Sequence, residues 1–116
     1  MKAYTDLEQS KKLAEILPIE SADMCWTKYV DTGDITSLHA TVNYGIVPIE
    51  HPCWSLVALF DVLPEGIIEN YYTPNLQKEN GKYSIAYGDD ELLCIEDSPV
   101  DACVAMIEKL HKLNLL

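Results

Sequence analysis

Cys53 is the residue of this sequence best placed to act as a nucleophile. It stands at the predicted start of a helix and is followed by Trp54 and Ser55. A helix N-terminus can lower the pKa of a thiol, and His51 or His39 would then be the base. His51 precedes the helix by only two residues, however, and no glycine-containing turn leads into the cysteine. The sequence therefore favours a buried structural thiol, with a thiol enzyme acting through Cys53 as an alternative.

Acidic side chains are concentrated between positions 89 and 101, where they could collect a divalent cation. The residues are Asp89, Asp90, Glu91, Glu96, Asp97 and Asp101. A calcium loop places its ligands at fixed offsets around a glycine at a sharp turn, whereas a predicted strand from Leu92 to Ile95 interrupts this cluster. Turns and helix caps account for most of these acids, so the sequence predicts no metal site.

The remaining candidates for catalysis have unsuitable spacing. His39, His51 and His111 lack a metal-ligand pattern such as H-E-x-x-H, and the glycines are scattered instead of forming a phosphate-binding loop. The four cysteines contain no C-x-x-C pair and are expected to be free thiols that are buried in the fold. We therefore predict a protein that is not an enzyme and that uses no cofactor.

Tyrosines and acids in and beside a predicted β-meander form the candidate protein-contact surface. Its members are Tyr71, Tyr72, Tyr83, Tyr87, Asp89, Asp90 and Glu91. Tyrosine combines a large contact area with a polar group, which suits protein recognition. Packing of the same rings against the helices would explain some of them equally well, so the surface requires two or more of these tyrosines on the solvent side.

The charge of the chain limits the class of partner. Acidic residues number 19 and basic residues 8, a formal net charge of -11, and all the basic residues are lysines. Arginine is the usual residue for bidentate phosphate contacts, so its absence at this charge argues against nucleic acid as a ligand. A partner, if one exists, is expected to be a basic protein. Solubility alone is the alternative explanation of the charge.

No segment of the sequence has the length and composition of a membrane span. The longest apolar stretch, Cys53 to Leu63, is interrupted by Ser55 and Asp61 and is followed by Pro64. The N-terminal residues turn polar and acidic at once, unlike a secretion signal. We expect a soluble cytoplasmic protein with a single domain, residues 1–116, whose oligomeric state the sequence leaves open.

Capping residues and apolar spacing predict a helix at the start of the chain. It should run from Asp6 to Leu17, with Thr5 as N-cap, Glu8 completing a capping box and Pro18 ending it. Its apolar residues fall on one side, which predicts a surface helix with one docked face.

The second predicted helix spans about Pro52 to Leu63, with proline in its first turn. Its apolar residues cover most of the circumference, which predicts a central position in the fold. They are Cys53, Leu56, Val57, Phe60 and Leu63 on one face, and Trp54, Ala58 and Val62 on the other.

The last helix is predicted after the N-cap Ser98, with Pro99 and Asp101 in its first turn. An apolar stripe at helical spacing predicts that this helix docks on the sheet. The stripe consists of Val100, Cys103, Val104, Ile107, Leu110 and Leu113.

Strands are predicted where β-branched and aromatic residues recur. Two are expected in the first half, Met24 to Val30 and Leu38 to Ile46, the latter with a long loop as the alternative. In the second half, the Asn80-Gly81 pair predicts a type I′ hairpin, and a further tight turn leads to a strand from Leu92 to Ile95. These later segments predict a three-stranded antiparallel meander with one buried face.

Three stretches of the chain carry a family resemblance: TDLEQSKKLAEILPIESADM (5–24), PCWSLVALFDVLP (52–64) and SPVDACVAMIEKLHKLNLL (98–116). They resemble a family of small uncharacterised proteins from gut Bacteroidales, often encoded near phage or mobile-element genes. The resemblance implies a shared ancestry and a cytoplasmic setting. It implies no activity and no catalytic residue.

We therefore predict an α+β fold in which a mainly antiparallel sheet, including the meander with its hairpin at Asn80-Gly81, packs against about three helices. The predicted function is that of a non-enzymatic acidic accessory or protein-interaction protein of a bacterial mobile element. The first alternative, an acidic inhibitor or nucleic-acid mimic that blocks a basic partner, requires a continuous acidic stripe. The second, the thiol enzyme, requires Cys53 to be exposed in a cleft with a histidine within hydrogen-bond reach.

Overall fold

The computed structural model describes residues 2–30, 36–42, 51–66, 73–88 and 92–116, of which 27–30 and 36–39 are described by their backbone alone. Within these ranges the chain has an α+β fold with three α-helices and two three-stranded antiparallel sheets, which are not closed into a barrel. The predicted fold class is confirmed. The strands form two separate sheets, however, where the sequence suggested one.

The first sheet contains β1 (Met24–Val30), β2 (Thr36–Val42) and β3 (His51–Cys53) in the order β2-β1-β3. Both neighbours run antiparallel to β1, so that Trp26 lies opposite Ala40 in β2 and opposite His51 in β3. The prediction of β1 is confirmed. The described part of β2 agrees with the predicted strand as far as Val42, and positions 43–46 of that prediction lie outside the described residues.

The second sheet is the predicted meander of β4 (Pro74–Glu79), β5 (Lys82–Tyr87) and β6 (Leu92–Glu96), in the order β4-β5-β6. The turn between β4 and β5 consists of Asn80 and Gly81, whose φ angles are 52° and 75°. Positive φ at both central positions is the geometry of a type I′ turn, and its twist matches that of the flanking strands. The hairpin prediction is therefore confirmed.

The first helix, α1 (Leu7–Ala14), begins one residue later than predicted. Its N-cap is Asp6, whose side chain accepts the backbone N–H of Gln9 at 2.8 Å, while the Gln9 side chain accepts the backbone N–H of Asp6 at 3.1 Å. The prediction of Thr5 as N-cap is wrong, because Thr5 is buried and bonds within the core. The helix also ends before the predicted Leu17.

The second helix, α2 (Leu56–Val62), is shorter than predicted. Its N-cap is Ser55, whose hydroxyl oxygen accepts the backbone N–H of Ala58 at 3.2 Å. The predicted start at Pro52 is wrong, because Pro52 and Cys53 belong to β3 and pair with β1. A long-range strand pairing thus replaces the first turn of the predicted helix.

One side of α2 faces outward, which corrects the expectation of a helix buried nearly all round. Leu59 is completely buried, and Ala58 and Leu63 are nearly so. Val57 is 78% exposed and Phe60 is 37% exposed. Two residues that were assigned to an apolar packing face therefore lie at the surface.

The third helix, α3 (Pro99–Lys112), begins as predicted: the hydroxyl oxygen of its N-cap Ser98 accepts the backbone N–H of Asp101 at 3.0 Å. Its buried residues are Val100, Ala102, Cys103, Val104, Met106, Ile107 and Leu110. Leu113 is the C-cap and is 50% exposed, so its predicted place in the buried stripe is wrong. None of the helices in the described ranges has the length and apolarity needed to cross a membrane.

A single buried cluster connects the helices to the second sheet. It contains Leu13 and Leu17 at the N-terminal helix, Trp54 and Leu59 at α2, Ile85 and Tyr87 from β5, and Met106 and Ile107 from α3. Leu76 of β4 is only partly buried against this cluster. The core therefore covers the centre of the second sheet more completely than its β4 edge.

Candidate functional site

The predicted protein-contact surface is described only in part. The members outside the described residues are Tyr71, Tyr72, Asp89, Asp90 and Glu91. Tyr83 is half-buried on β5, and the ammonium group of Lys78 lies 5.6 Å from the centre of its ring. The distance is that of a cation–π contact. Of the two tyrosines of the predicted surface that the structure describes, Tyr83 is the one that remains partly accessible.

Tyr87 is a core residue, so its assignment to a contact surface is wrong. It is completely buried, and its hydroxyl group donates a hydrogen bond to the carbonyl oxygen of Pro64 at 2.8 Å. Burial raises the pKa of this hydroxyl above its usual value. The residue lies on the same face of the sheet as Ile85, opposite α3, because side chains two positions apart in a strand share a face.

Cys53 lies in the interior, in a strand and not at a helix N-terminus. Its sulfur is 3.6 Å from the hydroxyl oxygen of Thr5 and 3.5 Å from the carbonyl oxygen of the same residue. Burial raises the pKa of the thiol, which is the opposite of what activates a nucleophile. This geometry gives no support to the thiol-enzyme alternative.

A buried polar network surrounds Cys53 and was missed by the sequence reasoning. The hydroxyl groups of Thr5 and Ser10 are 2.8 Å apart, and Thr5 also accepts the backbone N–H of Trp54 at 3.1 Å. Ser10 accepts the indole N–H of Trp26 at 3.2 Å. Both hydroxyl residues are completely buried. The network therefore ties α1 to the first sheet and is structural.

Acidic residues that the sequence grouped near the C-terminal third take part in separate ion pairs. Asp101 accepts from Lys2 at 2.8 Å and from the side-chain amide of Gln9 at 2.7 Å, while Asp97 pairs with Lys82. Within the described ranges, no three His, Cys, Asp or Glu side chains are grouped closely enough to hold a metal ion.

An apolar groove between α2 and β4 is the candidate site that the structure reveals. Its volume is about 550 Å³, within the range of about 300 to 1,000 Å³ that is usual for ligand pockets. Residues that line it include Leu56, Val57, Phe60 and Asp61 from α2, and Pro74 and Leu76 from β4. The groove lies between α2 and the edge of the second sheet, so it depends on how these two elements are positioned in the fold. The spacing of residues along the sequence does not predict that arrangement.

Asp61 is the one charged side chain among the described residues that line the groove. From Tyr29 to Gln77 the sequence contains neither lysine nor arginine, whereas acids occur at positions 31, 34, 50, 61, 65 and 69. Asp61 lines the groove and is exposed. The groove therefore combines an apolar wall with the exposed carboxylate of Asp61, on a chain whose net charge is -11.

Comparison of the chain with protein-family models, with curated proteins and with solved structures gives no match.

Proposed function

We propose that this protein acts without catalysis, as a small acidic protein-interaction domain whose groove between α2 and β4 binds a basic protein. The observation that carries the proposal is the exposure of Val57 and Phe60 on the wall of the groove. Exposed apolar residues that meet at a concave surface with a polar rim are typical of protein-binding sites.

The apolar wall of the groove and the negative charge of the chain have separate roles in the proposed binding. An apolar side chain of the partner that enters the groove removes Val57 and Phe60 from water, which supplies affinity. A lysine or arginine next to it stays in water, and the negative potential of the whole chain speeds association with a basic protein. The same potential repels nucleic acid, so we expect neither DNA nor RNA to bind.

The cellular setting of this proposal is a cytoplasmic accessory role in a bacterial mobile element. It is supported by the resemblance of the segments 5–24, 52–64 and 98–116 to the Bacteroidales family. An acidic inhibitor is a special case of the same proposal, in which the basic partner is an enzyme or a DNA-binding protein that loses its activity when bound.

The proposal is tested with a fluorescent heptapeptide in which lysine and valine alternate, and with its counterpart in which glutamate replaces lysine. We expect the chain to bind the basic peptide and not the acidic one, with an affinity that decreases as salt is added. Val57→Asp should weaken binding about tenfold or more, because it places a charge on the wall of the groove.

Ile95→Asp is the matched control, since Ile95 is 56% exposed on β6, away from the groove. Its affinity for the basic peptide should equal that of the unchanged chain. The proposal is wrong if the chain does not bind the basic peptide, or if Val57→Asp and Ile95→Asp bind it equally well. Saturable binding of duplex DNA in a mobility-shift assay would contradict the expected partner class.

A further inference from the structure

We infer that the basic partner binds as an extended strand, which adds to the outer edge of β4 and directs alternate side chains into the groove. This inference rests on the proposed function and specifies how the same site is occupied. It would extend the second sheet from β4-β5-β6 to a fourth strand supplied by the partner.

The hairpin geometry shows which backbone groups of β4 point outward. A two-residue type I′ turn makes the flanking residues Glu79 and Lys82 a hydrogen-bonded pair, and hydrogen-bonded and non-hydrogen-bonded pairs then alternate along the ladder. Leu76 and Lys78 fall in the non-hydrogen-bonded pairs, opposite β5 residues that they do not bond. Their N–H and C=O groups therefore point away from β5, towards the edge.

The two edges of this sheet differ in what covers them. At the β6 edge, the carbonyl oxygen of Leu93 accepts a hydrogen bond from the ammonium group of Lys109 at 3.4 Å, so α3 occupies part of that edge. At the β4 edge, no strand of the described ranges pairs with the outward groups. Pro74 has no N–H to donate, so the first N–H that β4 offers to an added strand is that of Leu76.

The position of the groove matches the side chains of such a strand. Neighbouring strands lie about 4.8 Å apart, and side chains that stand next to each other across a sheet point to the same face. Leu76 and Pro74 line the groove with α2, so residues placed beside them on an added strand would point under Val57 and Phe60. The intervening residues would point to the face of Gln77, which is exposed, where lysine or arginine remains in water.

The charge of the chain decides between a foreign partner and a second copy. Pairing of β4 with the same strand of another copy would bring together two chains with a net charge of -11 each. Like charges of this size oppose association, whereas a partner segment that alternates apolar and basic residues is attracted. We therefore assign the edge to a basic partner.

Amide hydrogen exchange tests this inference with the alternating lysine–valine heptapeptide. In the free chain, the outward amides of Leu76 and Lys78 should exchange faster than the amide of Gln77, which is bonded to β5. Saturating peptide should slow exchange at Leu76 and Lys78 about tenfold or more and leave Gln77 almost unchanged. The alternation within one strand is an internal control that general stabilisation would not produce.

A matched pair of variants at position 78 gives an independent measurement. Lys78→Pro removes an outward N–H without removing a bond of the β4–β5 ladder, and proline is tolerated at such an edge position. It should weaken peptide binding about tenfold or more, whereas Lys78→Ala, which keeps the N–H, should bind at least as well as the unchanged chain. Circular dichroism of both variants checks that the fold is kept.

The outcomes separate this inference from the proposed function. Loss of all peptide binding would contradict both. Peptide binding that requires Val57 but leaves the amides of Leu76 and Lys78 unprotected would keep the proposed function and refute strand addition. Slow exchange of these two amides in the free chain, or a dimer in sedimentation, would mean that the edge is already covered by this chain or by a second copy, and would also refute it.

Discussion

The hydroxyl groups of Thr5 and Ser10 contact each other at 2.8 Å in a site that is completely shielded from solvent. Each also accepts an N–H from a tryptophan, the backbone N–H of Trp54 at 3.1 Å and the indole N–H of Trp26 at 3.2 Å. A helix of eight residues is marginal by itself. These bonds therefore help to hold α1 on the first sheet.

Thr5→Val should destabilise the fold by about 2 to 3 kcal/mol, because the backbone N–H of Trp54 loses its buried acceptor while the shape of the side chain is nearly unchanged. The free energy of unfolding in urea measures the effect. Thr73→Val is the control, since Thr73 is exposed and should change this energy little. Equal stabilities for the two variants would show that the network contributes nothing.

Ile107→Ala should cost about 2 to 5 kcal/mol in stability, since Ile107 is completely buried in α3 and its truncation leaves a cavity. Leu113→Ala, at the half-exposed end of the same helix, should cost much less. Thermal denaturation and sedimentation should be measured together for both. An unchanged melting temperature for Ile107→Ala with altered association would mean that α3 serves chiefly in association.

The contrast between α3 and α2 shows which parts of the fold could be predicted from sequence. For α3, the cap Ser98, the proline after it and an apolar stripe all act within the helix, so local reasoning was sufficient for its start. For α2, the segment before Ser55 is drawn into β3 by pairing with β1, which lies about thirty residues earlier in the chain. Local capping rules carry no information about such a partner.

The candidate site was beyond sequence reasoning for a related reason. The spacing of Val57 and Phe60 indicates an apolar face, but only the placement of α2 beside β4 leaves that face open to solvent. The prediction for Tyr87 was wrong in the opposite direction. Its residue type suggested a position on the contact surface, whereas packing against α3 buries it completely. The net charge was visible at once, because it depends on composition alone.

The cysteines should fall into classes of different reactivity. Burial raises the pKa of Cys103 to about 12 and also raises the pKa of Cys53, and both side chains are completely buried. Burial also raises the pKa of Cys94, but this side chain is only half-buried and can be reached by a reagent. The expectation that all four thiols are buried is therefore revised for Cys94, and also for Cys25, which is half-buried as well.

In the native protein at pH 8, iodoacetamide should modify Cys94 before Cys53 and Cys103, which should react about a thousandfold more slowly than in the unfolded chain. Mass spectrometry of peptides after timed labelling assigns the sites. All four should react readily in urea, which controls for intrinsic reactivity. Preferential labelling of Cys53 in the native protein would reopen the thiol-enzyme alternative.

The pairing of Lys2 with α1 and α3 should make stability depend on pH at both extremes. Burial raises the pKa of Asp101, but hydrogen bonds from Lys2 and Gln9 outweigh this effect and hold the pKa below its usual value. Burial lowers the pKa of Lys2, but hydrogen bonds to Asp101 and Asp6 outweigh this effect and raise the pKa. The carboxylate contribution is therefore complete above the unfolded pKa of about 3.9 and is lost as pH falls through the lower folded value.

Lys2→Met should reduce the free energy of unfolding by about 1 kcal/mol near pH 7, the upper part of the range for a pair that keeps some exposure to water. The difference from the unchanged chain should shrink below about pH 4, as Asp101 becomes protonated in both proteins. It should also shrink above about pH 10.4, because a raised lysine pKa stabilises the fold only while Lys2 holds its proton more tightly than in the unfolded chain.

Lys12→Met is the control, since Lys12 is exposed on α1 and should show no such profile. If the deficit of Lys2→Met remained constant from acid to neutral pH, packing of the lysine stem, and not its charge, would hold the N-terminal segment against α3.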